Sequence, residues 1–223
     1  MLIQLISKLR GHSALEHRKL GQKSLSSVFR ICIQGLVSLG IIRIEEKGFE
    51  RMAEVQGPLI IASNHPALWD ALLIMRHCDQ VSCIMKASLL SNPLLRGGAL
   101  FAGFLPNAPR LEMIRRATGR LKGGGRLLLF PEGTRTREER KPLNSFYPGM
   151  ALIACKSGTP LLPVFIETDS RYLQKGWPIW KMPDFPISIK MRVGELQHVR
   201  EGERSRQFSE RMEQLFRAQL KHP

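Results

Sequence analysis

A histidine and an aspartate stand five positions apart in the stretch NHPALWD (64–70), directly after the apolar run 58–63. A histidine near neutral pH takes a proton from a hydroxyl group when a neighbouring carboxylate fixes its tautomer and stabilises the imidazolium that forms. If a helix begins near Pro66, a residue type tolerated in a first helical turn, Asp70 lies a little over one turn further on and reaches the imidazole of His65. The pair is therefore a candidate acid/base unit. Two surface residues at a strand end are the alternative.

A second polar turn, FPEGTR (130–135), follows another apolar run. Pro131 and Gly133 force the chain to turn. The turn is expected to expose three polar side chains together, those of Glu132, Thr134 and Arg135. The planar guanidinium of Arg135 is suited to gripping a phosphate, and the Glu132 carboxylate is suited to accepting hydrogen bonds from hydroxyl groups. A polar surface turn with an ion pair is the alternative.

Apolar runs and helical patterns alternate along the 223 residues of the chain. Strands are predicted at 58–63, 81–85, 126–130 and 161–166, and helices at 68–75, 111–121, 149–156 and 204–220. Both polar blocks lie just beyond the end of a predicted strand, where open α/β sheets place their sites. We therefore predict an α/β fold: a single domain whose central, mostly parallel sheet is flanked by helices.

The beginning of the chain has a different character. Residues 2–10 show helical apolar spacing beside basic residues, and residues 31–42 form the most apolar early stretch. That stretch is shorter than the roughly 20 residues that a bilayer span needs. We predict amphipathic helices at a membrane interface over 1–45, with packing onto the protein's own core as the alternative, and the main domain over 46–223. No signal-peptide pattern is present at the start, so export is not expected.

The charge balance is strongly basic, with 34 Lys and Arg against 19 Asp and Glu and a formal net charge of +15. Such an excess favours anionic partners, which are nucleic acid, an anionic membrane surface or phosphorylated substrates. Between residues 110 and 141, ten basic residues stand against four Glu, a net charge of +6 around the second polar block. A solvated basic face is the alternative.

The four cysteines are Cys32, Cys78, Cys83 and Cys155. They form no C-x-x-C pair and are not spaced with histidines as zinc ligands are. Buried, reduced thiols are therefore predicted, with no disulfide and no metal site.

Three other classes of protein account less well for the sequence. A nucleic-acid-binding protein would explain the charge, but no binding motif is recognisable and the aromatic residues are not interleaved with the basic cluster. A serine hydrolase would need a nucleophile elbow, and no G-x-S-x-G occurs. The glycine-rich stretch 119–125 lacks the Gly-Lys-Ser/Thr that closes a Walker-type phosphate loop.

Four blocks, in order, resemble those of the glycerolipid acyltransferases, the family of 1-acylglycerol-3-phosphate (lysophospholipid) acyltransferases. NHPALWD looks like the family's histidine-x4-aspartate block, and FPEGTR is similar to its third block almost letter for letter, with 67 residues from His65 to Glu132. FYPGMA (146–151) resembles the phenylalanine-x-x-glycine helix start, and TPLLPV (159–164) resembles the fourth, proline-containing block. The resemblance covers nearly half of the chain.

The resemblance implies an enzyme, an O-acyltransferase that moves a fatty acyl group from an acyl-coenzyme A or acyl-carrier-protein thioester to a lysophospholipid hydroxyl. His65 would be the general base that deprotonates the acceptor hydroxyl, and Asp70 would orient it. The residues implied in substrate binding, chiefly at the acceptor phosphate, are Asn64, Lys86, Arg110, Glu132, Gly133, Thr134 and Arg135. Residues 46–223 would form the acyltransferase domain.

The resemblance also implies surroundings for this reaction. No metal is required, and no cofactor beyond the acyl thioester that serves as co-substrate. The implied location is the cytoplasmic face of a membrane, with membrane lipids as partners and no nucleic acid. The basic charge does not choose among coenzyme A, acyl carrier protein and anionic lipid, because all three are negatively charged.

The sequence departs from the family pattern at two places. Pro66 and Ala67 stand where members commonly carry a small polar pair. The second block, GFLPNAPR (103–110), has extra prolines, so Arg110 is the candidate for the arginine of that block, with Arg115 and Arg116 behind it. These departures leave open a second class of acceptor, a hydroxyl on a non-glycerolipid such as a specialised lipid or polyene product.

Overall fold

Helices and strands alternate along most of the protein. The computed structural model describes residues 13–137, 142–178 and 180–220. The helices are α1 (Ala14–Ser38), α2 (Arg51–Glu54), α3 (Asp70–Met75), α4 (Pro93–Phe101), α5 (Arg110–Lys122), α6 (Gly149–Ser157) and α7 (Ser205–Leu220), with a 3₁₀ helix at Ala87–Ser91. The strands are β1 (Ile42–Lys47), β2 (Leu59–Ser63), β3 (Val81–Met85), β4 (Leu105–Pro106), β5 (Arg126–Leu129), β6 (Leu161–Thr168) and β7 (Ile187–Val193).

The strands of the described residues form one seven-stranded sheet in the order β1-β7-β6-β2-β5-β3-β4. Neighbouring strands are parallel except β6 and β7, which are antiparallel. Because parallel strands place their carboxyl ends at one side of a sheet, the loops that follow β2, β3, β5 and β6 lie at a common edge. We call this side the carboxyl edge.

Alternate side chains of β2 enter cores on the two faces of the sheet. Leu59 and Ile61 pack in one core with residues of α1 and α3. Ile60 and Ala62 pack in the other core with residues of α5, α6 and α7. All four side chains are fully buried. Since helices cover both faces, the central strands are apolar throughout, and this is why they stand out as continuous apolar runs in the sequence.

The predicted fold class is confirmed, and the eight predicted strands and helices are present with bounds that differ by two residues at most. Strands β1, β4 and β7 are absent from the prediction. Strand β4 has only two residues. Strands β1 and β7 carry charged residues, which interrupt the apolar runs by which the other strands are recognised.

Some local expectations differ from the structure. Helix α3 begins at Asp70 and not near Pro66, because residues 66–69 form a turn. The apolar stretch 31–42 is not a separate helix: it contains the end of α1 and the first residue of β1. The predicted boundary at residue 45 falls inside β1, which pairs with β7, so residues 42–45 are part of the sheet.

Helix α1 begins after Ser13, whose hydroxyl accepts the N–H of Glu16 while the Glu16 carboxylate accepts the N–H of Ser13. The predicted amphipathic segment 2–10 lies outside the described residues. Ile33 is buried in the core. Five large apolar residues of the helix and its end are exposed: Leu15, Val28, Ile31, Val37 and Leu39. We call three of them, Val28, Ile31 and Leu39, the α1 stripe. Among the described residues, no helix is long and apolar enough to cross a membrane.

The cysteines are all free thiols. Cys78 and Cys83 are buried, as predicted, and burial raises the pKa of the Cys83 thiol to about 12. Cys155 is partly exposed. Cys32 lies on the exposed side of α1, so the prediction of a buried thiol is wrong there.

Candidate active site

The two polar blocks meet at the carboxyl edge. Strands β2 and β5 pair in parallel, with Ala62 opposite Leu129. The chain therefore leaves the sheet at neighbouring points after Ser63 and after Leu129. This pairing brings together blocks that are far apart in the sequence.

The His65–Asp70 pair is formed. His65 Nδ1 lies 2.8 Å from Asp70 Oδ2, and the same oxygen accepts the N–H of Ala67 at 2.8 Å. Asp70 is fully buried, and this burial raises the pKa of its carboxyl group, while the bonds from His65 and Ala67 and the charge of Arg135 act to lower it. Asp70 Oδ1 has no hydrogen-bond partner among the described residues. The carboxylate therefore holds the imidazole with Nδ1 turned toward the protein.

The other side of the imidazole is available for chemistry. The ring of His65 stacks on Phe130, with ring centroids 4.0 Å apart and an interplanar angle of 18°. The His65 side chain keeps 16% of its surface exposed, against 1% for Asp70. Because Nδ1 is engaged, Nε2 is the nitrogen that a substrate hydroxyl would meet.

The main chain of His65 is held by the second polar block. Its N–H donates to Glu132 Oε1 at 2.9 Å, and its carbonyl oxygen accepts the N–H of Thr136 at 2.7 Å. Glu132 also accepts the Thr136 hydroxyl and the Asn144 N–H, each at 2.9 Å. We call these residues, Glu132, Thr136 and Asn144, the Glu132 clamp. It positions the loop that carries His65 by joining the two blocks through hydrogen bonds.

Glu132 is therefore not the exposed acid of a surface turn, and that expectation is wrong. Only 1% of its surface is exposed. Burial raises the pKa of its carboxyl group, and the hydrogen bonds from Asn144, His65 and Thr136 act in the opposite direction. All of these partners are hydrogen-bond donors. The carboxylate oxygens of Glu132 therefore accept hydrogen bonds from the protein itself, whereas the sequence predicted that they would accept hydrogen bonds from hydroxyl groups of a substrate.

Arg135 lies beside the pair and is fixed by the loop that follows β6. Its Nη1 donates to the carbonyl oxygens of Leu173 and Gln174, at 2.8 and 3.2 Å. The Leu173 oxygen also accepts the N–H of Leu68 at 3.1 Å. Leu173 has a φ of 61°, a left-handed conformation that costs energy for a residue with a side chain. Among the described residues, no hydrogen-bond partner is seen for Nη2 or Nε of Arg135.

The candidate arginine of the second block reaches the third block through an aromatic ring. The guanidinium carbon of Arg110 lies 5.4 Å from the centroid of the Tyr147 ring. Tyr147 donates its N–H to the Pro131 oxygen at 2.8 Å, and its ring covers Gly133, where an added Cβ would lie 2.9 Å from Tyr147 Cδ2. Gly133 also has a φ of 65°, which favours glycine. Arg110 and Gly133 are thus brought together.

The remaining predicted site residues have different surroundings. Lys86 is exposed directly after β3, at the carboxyl edge, and Thr134 is partly exposed. Asn64 is buried, and both ends of its side-chain amide bond the main chain of Ile166, at 2.7 and 2.8 Å. Asn64 therefore ties the end of β2 to β6, and in this structure its polar atoms are used by the protein.

The basic cluster between residues 110 and 141 is not one surface. Arg115 and Arg116 pair with Glu112. Arg126 is turned inward and donates to main-chain oxygens of Met52 and Val55. Residues 138–141 lie outside the described residues. Among the described residues, Lys86, Arg110 and Arg135 are the predicted site cations that lie at or near the carboxyl edge.

Three residues of the site carry no motif that would have revealed them: Thr136 and Asn144 in the clamp, and Leu173 against Arg135. Thr136 directly follows the FPEGTR block, and this proximity is the only signal for it. Phe130 belongs to that block, but the sequence does not indicate that its ring stacks on the imidazole. Among the described residues, no group of three or more His, Cys, Asp or Glu could hold a metal ion.

Fold and site together define an α/β protein with a histidine–aspartate pair for general-base chemistry and arginines beside it, all at the carboxyl edge of the sheet. Residues 43–167, more than half of the chain, match the family described as Acyltransferase. The chain belongs to this acyltransferase family, and the resemblance to glycerolipid acyltransferases is confirmed.

Individual relatives agree with this assignment. The chain is 28% identical over 177 residues to a 1-acyl-sn-glycerol-3-phosphate acyltransferase of Pseudomonas aeruginosa, covering 76% of this chain and 64% of that protein. It is 25% identical over 139 residues to the chloroplastic 1-acyl-sn-glycerol-3-phosphate acyltransferase LPAT1 of Arabidopsis thaliana, covering 60% of this chain and 38% of that protein. The chain thus spans less than two thirds of the length of either relative.

The fold is also that of a solved structure. The crystal structure of the 1-acyl-sn-glycerophosphate (LPA) acyltransferase PlsC from Thermotoga maritima superimposes with a TM-score of 0.73 at 22% sequence identity. The superposition covers 91% of this chain and 80% of the other. The central sheet with helices on both faces is therefore shared between the two proteins.

Proposed function

We propose that the protein is an O-acyltransferase that moves a fatty acyl group from an acyl-coenzyme A or acyl-carrier-protein thioester to the free hydroxyl of a lysophospholipid of the 1-acylglycerol-3-phosphate type. The observation that carries the proposal is the His65–Asp70 pair, with 2.8 Å between the ring nitrogen and a buried carboxylate oxygen. The names of the relatives support the class of acceptor.

The proposed reaction needs one base and no covalent acyl-enzyme. His65 Nε2 takes the proton of the acceptor hydroxyl as the oxygen attacks the thioester carbonyl carbon. When the tetrahedral intermediate collapses, the C–S bond breaks and the imidazolium returns the proton to the leaving sulfur. Asp70 stabilises the imidazolium between these two steps, because its carboxylate is buried 2.8 Å from Nδ1.

The acceptor phosphate is proposed to bind beside the imidazole. Arg135 is fixed through Nη1 and offers its other nitrogens. Arg110 is exposed over Tyr147, and Lys86 is exposed after the neighbouring strand. Guanidinium groups are suited to a phosphate because they present parallel N–H donors. Thr134 and Gly133, which the Tyr147 ring covers on one side, are part of the same proposed site.

We infer that the protein acts at the cytoplasmic face of a membrane, where acyl thioesters and membrane lipids meet. The exposed α1 stripe and the net charge of +15 support this location, since apolar residues beside cations favour an anionic lipid surface. The part of residues 1–45 that precedes β1 is proposed to supply this contact, and the remainder of the chain is proposed to supply the acyltransferase site.

The function is tested by thiol release from acyl-coenzyme A and from acyl carrier protein, with and without lysophosphatidate. Release that requires lysophosphatidate, together with phosphatidate as product, is the expected result, and the faster donor is thereby identified. Release that requires a non-glycerolipid hydroxyl instead would keep the acyl-transfer chemistry and overturn the proposed acceptor. No release with any hydroxyl acceptor from folded protein would contradict the acyltransferase function itself.

Arg135→Ala is expected to raise the KM for lysophosphatidate by about tenfold or more, since a hydrogen bond to a charged group contributes about 1.5–3 kcal/mol. The measurement is initial-rate kinetics over a range of acceptor concentrations. If the arginine binds phosphate in the ground state and the transition state alike, kcat changes much less than KM.

Monoacylglycerol is the matched control substrate for Arg135→Ala, because it carries a hydroxyl and no phosphate. Its KM should be the same in wild type and variant. An equal rise in KM for both acceptors would assign Arg135 to bracing the Leu173 loop and would contradict the phosphate role.

A further inference from the structure

The connection between β6 and β7 exposes three large apolar side chains within six residues. Trp180 is 84% exposed, Met182 66% and Phe185 46%. We call them the loop patch. Single exposed apolar side chains are normal on soluble proteins. A group of them, here with a largely exposed tryptophan, is typical of a surface that contacts a membrane or another protein.

The loop that carries the patch also borders the candidate active site. It leaves the sheet at the carboxyl end of β6, next to β2, the strand that leads to His65. Its first part holds the site directly, through the hydrogen bonds from Arg135 and Leu68 to the Leu173 oxygen. The ring of Tyr172 in the same part contacts Trp69 edge-on, with centroids 5.8 Å apart. The patch therefore belongs to the same edge of the sheet as the reacting groups.

The charges on the loop fit a lipid headgroup region. Lys175 and Lys181 are exposed, with Asp184 as the acidic residue near them. Lys181 Nζ lies 5.0 Å from the centroid of the Trp177 ring, and Trp177 Nε1 donates to the Lys181 oxygen at 2.8 Å. Tryptophan beside lysine is typical of the boundary between bilayer and water, where the ring is buried and the ammonium stays near phosphates.

We propose that the loop patch inserts into the headgroup region of an anionic bilayer and forms a membrane contact separate from the α1 stripe. The proposal rests on the proposed function, because a lipid acceptor must pass from the bilayer to His65. A bilayer is favoured over an acidic protein because the tip of the loop is apolar and its local excess of positive charge is small. With the patch in the headgroup region, the acceptor hydroxyl enters the site without the lipid leaving the membrane surface.

The test compares wild type with Trp180→Ser/Phe185→Ser in sedimentation with vesicles of phosphatidylglycerol and phosphatidylcholine. The double variant is expected to bind about tenfold more weakly, which corresponds to losing part of the burial of two aromatic side chains. Ile31→Ser/Leu39→Ser, which removes most of the α1 stripe, is the comparison variant, and the losses of the two pairs should combine in the quadruple variant. Thermal unfolding should be unchanged, because the replaced side chains are exposed.

Fluorescence locates the contact. In a Trp69→Phe/Trp177→Phe background, Trp180 is the only tryptophan of the sequence, and its emission should shift to shorter wavelength when vesicles are added. Undiminished vesicle binding by the double variant, or an unshifted emission, would overturn the proposal. So would a variant that binds vesicles normally but loses affinity for acyl carrier protein or loses self-association, because the patch would then face a protein.

Kinetics with two forms of acceptor separate this inference from the proposed function. The double variant should lose about tenfold in kcat/KM on lysophosphatidate in vesicles, in line with its loss of binding. It should match wild type on a short-chain lysophosphatidate kept below its micelle concentration. If wild type shows no transfer in either form, the proposed function fails, while vesicle binding and Trp180 emission still decide whether the patch contacts a bilayer.

Discussion

His65→Ala is expected to lower the turnover number for acyl transfer by about three orders of magnitude, which is the range that a positioned general base contributes. The variant removes Nε2, the nitrogen proposed to take the hydroxyl proton, while the main-chain bonds of residue 65 to Glu132 and Thr136 remain. The KM for the acceptor should change little, because the arginines are untouched. Steady-state thiol release with saturating donor and acceptor measures the effect.

Two further variants make the His65 result decisive. His65→Asn keeps a donor for the buried Asp70 carboxylate, because its amide nitrogen occupies the position of Nδ1, but it cannot act as a base. It should therefore be as inactive as alanine and closer to wild type in stability. His198→Ala is the matched control, because His198 is exposed and follows Gln197, which bridges to the start of β6 at the opposite edge of the sheet. Turnover near that of wild type in His65→Asn would rule out general-base catalysis by this residue.

Glu132→Gln is expected to lower the free energy of unfolding by about 2 kcal/mol and to reduce turnover as well. The carboxylate accepts two main-chain N–H groups, from His65 and Asn144, and the Thr136 hydroxyl. A glutamine has the same shape but only one acceptor oxygen, so its NH₂ must point at a buried N–H donor. The resulting repulsion moves the loop that carries His65 relative to Asp70. Urea denaturation and kcat are the two measurements.

Glu210→Gln is the control for the clamp. Glu210 forms an exposed ion pair with Arg206 on α7, with 57% and 89% of the two side chains exposed. Such pairs contribute little to stability, so the control should stay within about 0.5 kcal/mol of wild type. A Glu132→Gln protein as stable as Glu210→Gln, with normal turnover, would show that the Glu132 clamp does not hold the site.

The contact between His65 and Asp70 could be predicted from the sequence because both residues follow a strand whose burial is visible as an apolar run. The placement of β2 at the centre of the sheet then brings its carboxyl end beside that of β5. The role of Glu132 could not be predicted in the same way. A glutamate between proline and glycine is typical of an exposed turn, and only the packing of residues 136 and 144 around it encloses the carboxylate.

The contacts between the β6–β7 loop and the candidate site could not be predicted from the sequence either. Its contacts with Arg135 and Leu68 use the main-chain oxygen of Leu173. Every residue has such an oxygen, so no side-chain pattern marks this one. The left-handed conformation that orients it occurs at a leucine, and leucine rarely adopts that conformation. Strand β1, which pairs with β7, could not be predicted for a different reason. Its second half, Glu45, Glu46 and Lys47, is charged, so β1 has no apolar run that would indicate a strand.

The Glu132 clamp has a consequence for how this protein can change over evolutionary time. The groups that hold the histidine are buried, whereas Lys86, Arg110 and Tyr147, which border the proposed phosphate site, are exposed. Exposed positions accept substitution at little cost in stability, and buried, hydrogen-bonded ones do not. If the protein has the proposed function, mutations at these exposed positions can alter which alcohol is accepted without disturbing the His65–Asp70 pair. Proteins that descend from a common ancestor with this fold can therefore differ in the acceptor that they use and still keep the same reaction.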